Sequence, residues 1–160
     1  MQVSKRPPIV AKDIMARRLI LLRPEMDLFQ AIELLLKNRI SGAPVVDDND
    51  EYVGIFSEKS CLSMLVAAAY DELPTTKLDP FIDRDAPTVT EDTDLLSIAQ
   101  IFLNTSRRRV PVLRGRRVVG QISRRDVLRA AYETMAVAPD TGSRILYISS
   151  LFEANESPIG

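Results

Sequence analysis

Pro44-Val45-Val46-Asp47-Asp48-Asn49-Asp50-Glu51-Tyr52-Val53-Gly54-Ile55-Phe56-Ser57 is an apolar run, a polar turn, and a second apolar run that closes on Gly-x-x-Ser. It returns as Pro111-Val112-Leu113-Arg114-Gly115-Arg116-Arg117-Val118-Val119-Gly120-Gln121-Ile122-Ser123, one residue shorter across the turn. Each run reads as a β-hairpin, turning at Asp47 to Asp50 or around Arg114-Gly115-Arg116. Outward from the hairpins the repetition continues: Asp27 and Asp94 both open an amphipathic helix upstream, and a further helix follows each serine. Residues 14–69 and 81–135 thus share the order strand, helix, strand, strand, helix. A unit this small cannot bury its own apolar face, so two copies should pack together and build any site at their seam.

The spacing predicts the elements in more detail. Leu19 to Leu22 and Thr88 to Thr90 read as the first strands, and Lys12 to Met15 as a short helical turn. Leu28, Ala31, Ile32, Leu35 and Leu36 form one helix face, and Leu95, Ile98, Ala99, Phe102 and Leu103 its counterpart. Asp27 with Gln30 has the spacing of a capping box. Leu62, Leu65, Val66 and Ala69 make the apolar stripe of the helix closing the first copy, and Val127 to Met135 lies in the helix closing the second. Residues 1–10 are expected to be a flexible lead-in, 11–70 the first repeat, 71–80 a linker, 81–136 the second repeat and 137–160 a tail. The tail carries an apolar cluster (Ile145, Leu146, Ile148, Leu151, Phe152) that can pack on the body or on a partner subunit.

Composition excludes much chemistry. The chain has 160 residues, 46% of them hydrophobic and 27% charged, which is the balance of a folded domain with its own core. No apolar run reaches the ~18 residues of a membrane span, and the N-terminus lacks the apolar core of an export signal. With a single cysteine, Cys61, a cytoplasmic location is expected. The chain has no histidine, so Ser-His-Asp and Cys-His pairs are excluded, as are zinc sites built on histidine or several cysteines. Cys61 lies in an apolar stretch and reads as a buried, inert thiol. No Gly-rich phosphate loop is present. The expectation is a protein without catalysis and without a metal.

The net charge of −1 hides an asymmetry. Arg107, Arg108, Arg109, Arg114, Arg116, Arg117, Arg124, Arg125 and Arg129 crowd the second repeat, with Asp126 the only acid among them. Such density attracts anions, although for any single arginine a solvated face is the simpler reading. In Gly120-Gln121-Ile122-Ser123-Arg124-Arg125-Asp126 a strand ends, a hydroxyl appears and a carboxylate follows on the first helical turn. Ser-x-x-Asp is a helix-capping pattern. The same corner can present a carboxylate to both hydroxyls of a ribose, with a helix N-terminus nearby for phosphate.

These motifs, together with Arg39-Ile40-Ser41-Gly42-Ala43-Pro44-Val45-Val46-Asp47, resemble a tandem pair of cystathionine-β-synthase (CBS) domains, a Bateman module, over roughly residues 11–135. The resemblance implies an α+β fold of two intertwined β-α-β-β-α repeats related by pseudo-two-fold symmetry. It also implies clefts for adenosine ligands: AMP, ADP or ATP, with S-adenosylmethionine or NAD as further candidates. Carried over by motif, Ser123 and Asp126 would hold the ribose, and Ile20, Ile40, Ser41 and Gly42 would frame the adenine. Arg109 and Arg125 would meet phosphate, with Arg108 and Arg18 as weaker candidates. The mirror cleft, with Ser57, Ser60, Pro87 and Arg107, departs from the pattern, because Ser60 stands where the carboxylate belongs. Each lost charge-assisted bond is worth roughly 1.5–3 kcal/mol, on the order of a tenfold to hundredfold weakening. One good site and one weak or absent site are therefore expected.

The resemblance further implies a regulatory module acting through a homodimer or an unidentified partner protein, its helical faces at Leu62–Ala69 and Val127–Met135 being candidate contacts. Nucleic-acid binding is the alternative that the arginines raise. No aromatic residue is interleaved between Arg107 and Arg129 to stack bases, which weighs against it. A ligand-free scaffold is the third reading.

Overall fold

Both quoted runs are antiparallel hairpins in the computed structural model, which describes residues 7–70, 76–136 and 140–153. The first repeat holds α1 (Ala11–Ile14), α2 (Leu28–Lys37), β1 (Gly42–Val46), β2 (Tyr52–Ser57) and α3 (Glu58–Ala69). The second opens on a 3-10 turn (Asp79–Phe81) and continues through β3 (Val89–Thr90), α4 (Leu95–Asn104), β4 (Arg109–Arg114), β5 (Arg117–Ser123) and α5 (Arg124–Met135). α6 (Thr141–Glu153) follows and packs on α5. This is the α+β double repeat expected from the sequence.

Symmetry extends to individual bonds. Val45 lies opposite Gly54 and Val112 opposite Gly120, and each hairpin shifts register at the next step. Such bulges bend and twist a strand pair. The first strands differ, however. β3 runs parallel to β4, pairing Val89 with Val112 and Thr90 with Leu113. Leu19 to Leu22 yields only one parallel bridge, Leu22 to Val45. Leu22 N donates to Pro44 O and Val46 N to Leu22 O, each at 2.9 Å. The next ladder bond would need an N–H from residue 24, which is Pro24 and has none.

The intertwining lies in two crossing segments. Residues 9–16 dock on the second repeat: Leu95 N donates to Ile9 O, Ala11 N to Thr93 O, and Ala16 and Gln121 exchange both backbone bonds. Residues 76–83 dock on the first repeat in the same way. Leu28 N donates to Thr76 O, Leu78 N to Met26 O, and Asp83 and Ile55 exchange both bonds. The end of the expected flexible lead-in and the end of the expected linker are therefore anchored; residues 1–6 and 71–75 lie outside the described residues. Gly54 and Gly120 are where these segments pass closest. A Cβ on Gly54 would stand 2.5 Å from Asp83 O, and one on Gly120 would overlap Met15 Sδ.

Two apolar cores result, each completed by the other repeat's crossing segment. Leu22, Leu28, Ala31, Leu35, Val45, Phe56 and Met64 pack with Leu78 in one. Val89, Ile98, Phe102, Val110, Val112 and Ile122 pack with Ala11 and Met15 in the other. Three expectations about faces are corrected. Leu36 and Leu103 face solvent, 74% and 83% exposed. The α3 stripe is also outward, with Leu62, Leu65 and Val66 about 60% exposed, while Met64 and Cys61 meet the core. α3 is apolar on both sides, and the 3-10 turn packed against it selects the Cys61–Met64 side. Finally, Asp27 caps α2 through Phe29 N at 3.0 Å, with no reciprocal bond from Gln30 among the described residues.

Candidate functional site at the repeat seam

Each hairpin delivers its last strand directly into a helix, so the N-termini of α3 and α5 form two corners beside the seam. At the second corner Asp126 N donates to Ser123 Oγ at 3.1 Å, and Ser123 N donates to Asp126 Oδ2 at 2.8 Å. This is a complete capping box. The other carboxylate oxygen, Oδ1, lies 3.7 Å from Arg129 Nη1. At the first corner the equivalent serines, Ser57 and Ser60, make the same box with looser 3.4 Å contacts. A hydroxyl is shorter and uncharged, so it grips less. The strand ahead of each hairpin is tied to its corner as well: Glu58 N donates to Ser41 O and Arg124 N to Arg108 O.

Beside the first corner lies a cavity of about 130 Å³, lined from both repeats. Ser41, Gly42, Ile55, Ser57, Glu58 and Lys59 come from the first, and Ser106, Arg107, Arg108, Arg109 and Gln121 from the second. A second cavity of about 250 Å³ adjoins it and shares Ser57 and Lys59. Its other walls are Ser60, Ser63, Pro80, Phe81, Ile82 and Asp83. Small-molecule sites occupy roughly 300–1,000 Å³, so neither cavity encloses a whole nucleotide alone.

The expected residues distribute unevenly over these cavities. Ser41, Gly42, Arg108 and Arg109 meet in the seam cavity, and Arg107 joins them there instead of lining the Ser60 cleft. Ser57 and Ser60 line the second cavity. Ser123, Asp126, Arg125, Ile20, Ile40, Arg18 and Pro87 line neither. Ile20 and Ile40 pack half-buried against the first core. The open cleft is the one on the Ser60 side, for a local reason. Ser60 and Ser63 leave space along α3, whereas α5 carries the larger Asp126 and Arg129 at the same spacing from its capping serine. Lys59, Ser106 and Gln121 are cavity residues that the sequence reading did not single out. For Lys59 a signal existed, since it stands at the position equivalent to Arg125.

Charge at the seam is positive but partly spent. Arg107 forms an ion pair with Asp83, both about seven-tenths buried, joining the second repeat to the crossing segment. Arg114 pairs with Glu91, Arg116 with Glu51 and Arg129 with Asp126. Arg108, Arg109 and Lys59 enter no ion pair among the described residues, leaving a surplus of cations over Glu58 on the cavity wall. Next to this pair, the Tyr52 hydroxyl is pushed up to about 12, chiefly by burial and then by Asp83, against the opposing pull of Arg107. That hydroxyl has no hydrogen-bond partner among the described residues. Burial, followed by Glu58, also raises the Cys61 thiol, which favours the inert protonated form. Among the described residues no cluster of His, Cys, Asp or Glu could hold a metal, and no helix is long and apolar enough to cross a membrane.

Known proteins resemble this chain in sequence and fold. MJ1225 of Methanocaldococcus jannaschii, an uncharacterized protein, is 28% identical over 119 residues, 74% of this chain. The chain spans 41% of that relative's length. The crystal structure of CBSX2 in complex with AMP matches at a TM-score of 0.69 and 28% identity, over 78% of this chain and 96% of that one. The CBS domain pair of MJ0100, solved with 5′-methylthioadenosine and S-adenosyl-L-methionine, matches at 0.66 and 26% identity, with the same two coverages. The family profile described as CBS domain matches twice, over residues 11–67 and 78–133, and the chain belongs to the CBS domain family as a tandem pair.

Proposed function

We propose that this CBS pair is a non-catalytic regulatory module that binds an adenosine ligand of the AMP, ADP or ATP type at the seam and passes its state to a dimer mate or partner protein. The observation carrying this reading is the seam cavity, which both repeats build and which Lys59, Arg108 and Arg109, in no ion pair among the described residues, line with positive charge. A helix N-terminus capped by Ser57 adds its dipole. The AMP-bound and S-adenosylmethionine-bound neighbours support an adenosine ligand.

Ser123 and Asp126, which line neither cavity, are proposed as ribose contacts at the second corner, outside the seam cavity. Asp126 Oδ1, held among the described residues by Arg129 alone at 3.7 Å, is the oxygen a ribose hydroxyl would reach. Arg109 and Arg125, with Arg108 and Arg18, would serve the phosphates, and Ile20, Ile40, Ser41 and Gly42 the base. The Ser60 cleft, lined by Ser57 and Ser60 but by neither Pro87 nor Arg107, is the weaker second site, since it lacks the carboxylate. The outward apolar residues Leu62, Leu65 and Val66 on α3, with Leu128 and Tyr132 on α5, are the proposed self-association surface.

Calorimetry with AMP, ADP, ATP, S-adenosylmethionine and NAD tests this directly. One tight adenylate site per chain is expected, and Asp126→Ala should abolish it while costing about 1 kcal/mol of stability as a lost cap. A wild-type protein indifferent to every adenosine ligand refutes the proposal. Tight binding that survives Asp126→Ala but disappears in Ser60→Trp would move the site to the other cleft. The nucleic-acid reading loses ground because ion pairs already occupy four of the second repeat's arginines. RNA binding at physiological salt, unaffected by Asp126→Ala, would restore it.

A further inference from the structure

Three side chains near the seam have no polar counterpart across the pseudo-two-fold. Tyr52, Asp83 and Arg107 stand where the other half has Val118, Ala16 and Ile40. Both halves build the same crossing: Asp83 exchanges two backbone bonds with Ile55, and Ala16 does so with Gln121. The fold itself therefore needs no charge there, because an apolar set closes the equivalent crossing. Yet Arg107–Asp83 is the only ion pair among the described residues with both side chains less than a third exposed, at 29% and 28%. The Tyr52 hydroxyl is buried without a partner, and Asp83 and Arg107 are the two charges that act on it, in opposite senses. A buried hydroxyl left unsatisfied is unfavourable and calls for an explanation.

The ion pair also bridges the two cavities. Arg107 lines the seam cavity and Asp83 the adjoining one. Asp83 Oδ1 accepts from Asp85 N at 3.1 Å, while Oδ2 meets Arg107. We propose that Asp83 is a switch residue with two alternative partners: Arg107 in the arrangement seen here, and the Tyr52 hydroxyl when an anionic ligand in the seam cavity draws Arg107 away. The idle hydroxyl becomes the donor that replaces the arginine, so neither state leaves the carboxylate stranded. Two discrete arrangements of one group are what coupling between sites requires. The readout runs through the backbone. Asp83 ends the crossing segment whose Asp79–Phe81 turn packs on α3, and Pro80, Phe81 and Ile82 wall the second cavity. Ligand at the seam thereby alters the adjoining cavity and the seating of α3. The inference rests on the adenosine reading for the ligand but not for the two partners of Asp83.

Double-mutant cycles on the full chain test this, first by urea denaturation without ligand. Tyr52→Phe should leave the wild type unchanged, because the hydroxyl is idle there. In Arg107→Met, which frees Asp83, Tyr52→Phe should lower the folding equilibrium constant about tenfold, the worth of one hydrogen bond to a charged group. Arg107→Gln serves the same cycle should Arg107→Met fail to fold. Tyr52→Phe that is neutral in both backgrounds overturns the proposal. Calorimetry with AMP and adenosine is the second arm. Asp83→Asn releases Arg107 and should tighten AMP roughly threefold to tenfold, beyond any change for adenosine. In the Arg107→Met background that gain should vanish. A gain that persists there reflects bare loss of negative charge and overturns the proposal, as does unchanged or weaker AMP binding in Asp83→Asn. If the wild type binds no adenosine ligand, the functional reading fails, while the Tyr52–Arg107 cycle still decides whether Asp83 has two partners.

Discussion

Adding one methyl group at Gly54 should damage this fold far more than adding it at the symmetric Gly120. A Cβ on Gly54 would lie 2.5 Å from Asp83 O and 2.6 Å from Ile82 Cγ2. The first obstacle is backbone and cannot rotate away. Overpacking of this kind costs about 1–3 kcal/mol. Pushing the segment back also strains the two Ile55–Asp83 backbone bonds of 2.8 and 3.0 Å, worth about 1 kcal/mol each. Gly54→Ala should therefore cost about 3–5 kcal/mol. At Gly120 the obstacle is the Met15 side chain, whose Cγ and Cβ would stand 2.7 and 2.9 Å from the new atom. Sδ and Cγ of the unbranched methionine can rotate away and only its Cβ, at 2.9 Å, must shift by a small amount, so Gly120→Ala should cost about 1–2 kcal/mol. Urea denaturation of both variants measures the difference. Hydrogen exchange should show lost protection at the Ile55 and Asp83 amides in Gly54→Ala only. Equal costs, or a Gly54→Ala cost below about 1 kcal/mol, would refute the claim that crossing-segment backbone dictates the Gly-x-x-Ser glycine.

The Tyr52 hydroxyl, raised to about 12, stays protonated in the folded chain while the unfolded chain ionises near 10. Its contribution to stability is complete below pH 10 and is lost as pH rises towards 12; thermal melts across that window should show a decline that Tyr52→Phe removes. Because the hydroxyl has no partner, Tyr52→Phe should not destabilise at pH 7, and a clear loss there would expose a missed hydrogen bond. Arg39 ends α2 at φ 52°, with Ile40 N donating to Leu35 O and Arg39 N to Leu36 O. A non-glycine residue in that left-handed cap costs about 1 kcal/mol, so Arg39→Gly should raise the melting temperature by about 2–4 °C. No rise would mean that the Arg39 side chain repays its backbone strain.

The double repeat, both hairpins and the core faces of α2 and α4, apart from Leu36 and Leu103, were legible because their apolar spacing has one period and one sensible partner. Periodicity failed on α3, which is apolar around its circumference, so only the Asp79–Phe81 turn packed against it could decide the buried face. It also failed at Leu19–Leu22, where the limit is one absent N–H on Pro24 and not hydrophobicity. The capping corners were readable as Ser-x-x-Asp and Ser-x-x-Ser. The cavity beside the Ser60 corner was not, because it depends on which corner is filled: Arg129 folds toward Asp126, while Ser63 leaves the other side open. Gln121 escaped notice for a similar reason. Nothing in a strand pattern distinguishes a glutamine facing water from one sealed beneath arginines.

The crossing segments carry a consequence about ancestry and assembly. Ala11 and Met15 finish the core of the second repeat, and Leu78 finishes that of the first. A lone repeat would carry its neighbour's missing piece and lack its own. Two identical copies could exchange these arms and close both cores, as in a domain-swapped homodimer. The present chain has the connectivity of such an exchange joined covalently, with residues 71–75 as the join in sequence. Fusion lets the two halves differ, and here one corner carries Asp126 and Arg129 while the other carries three serines.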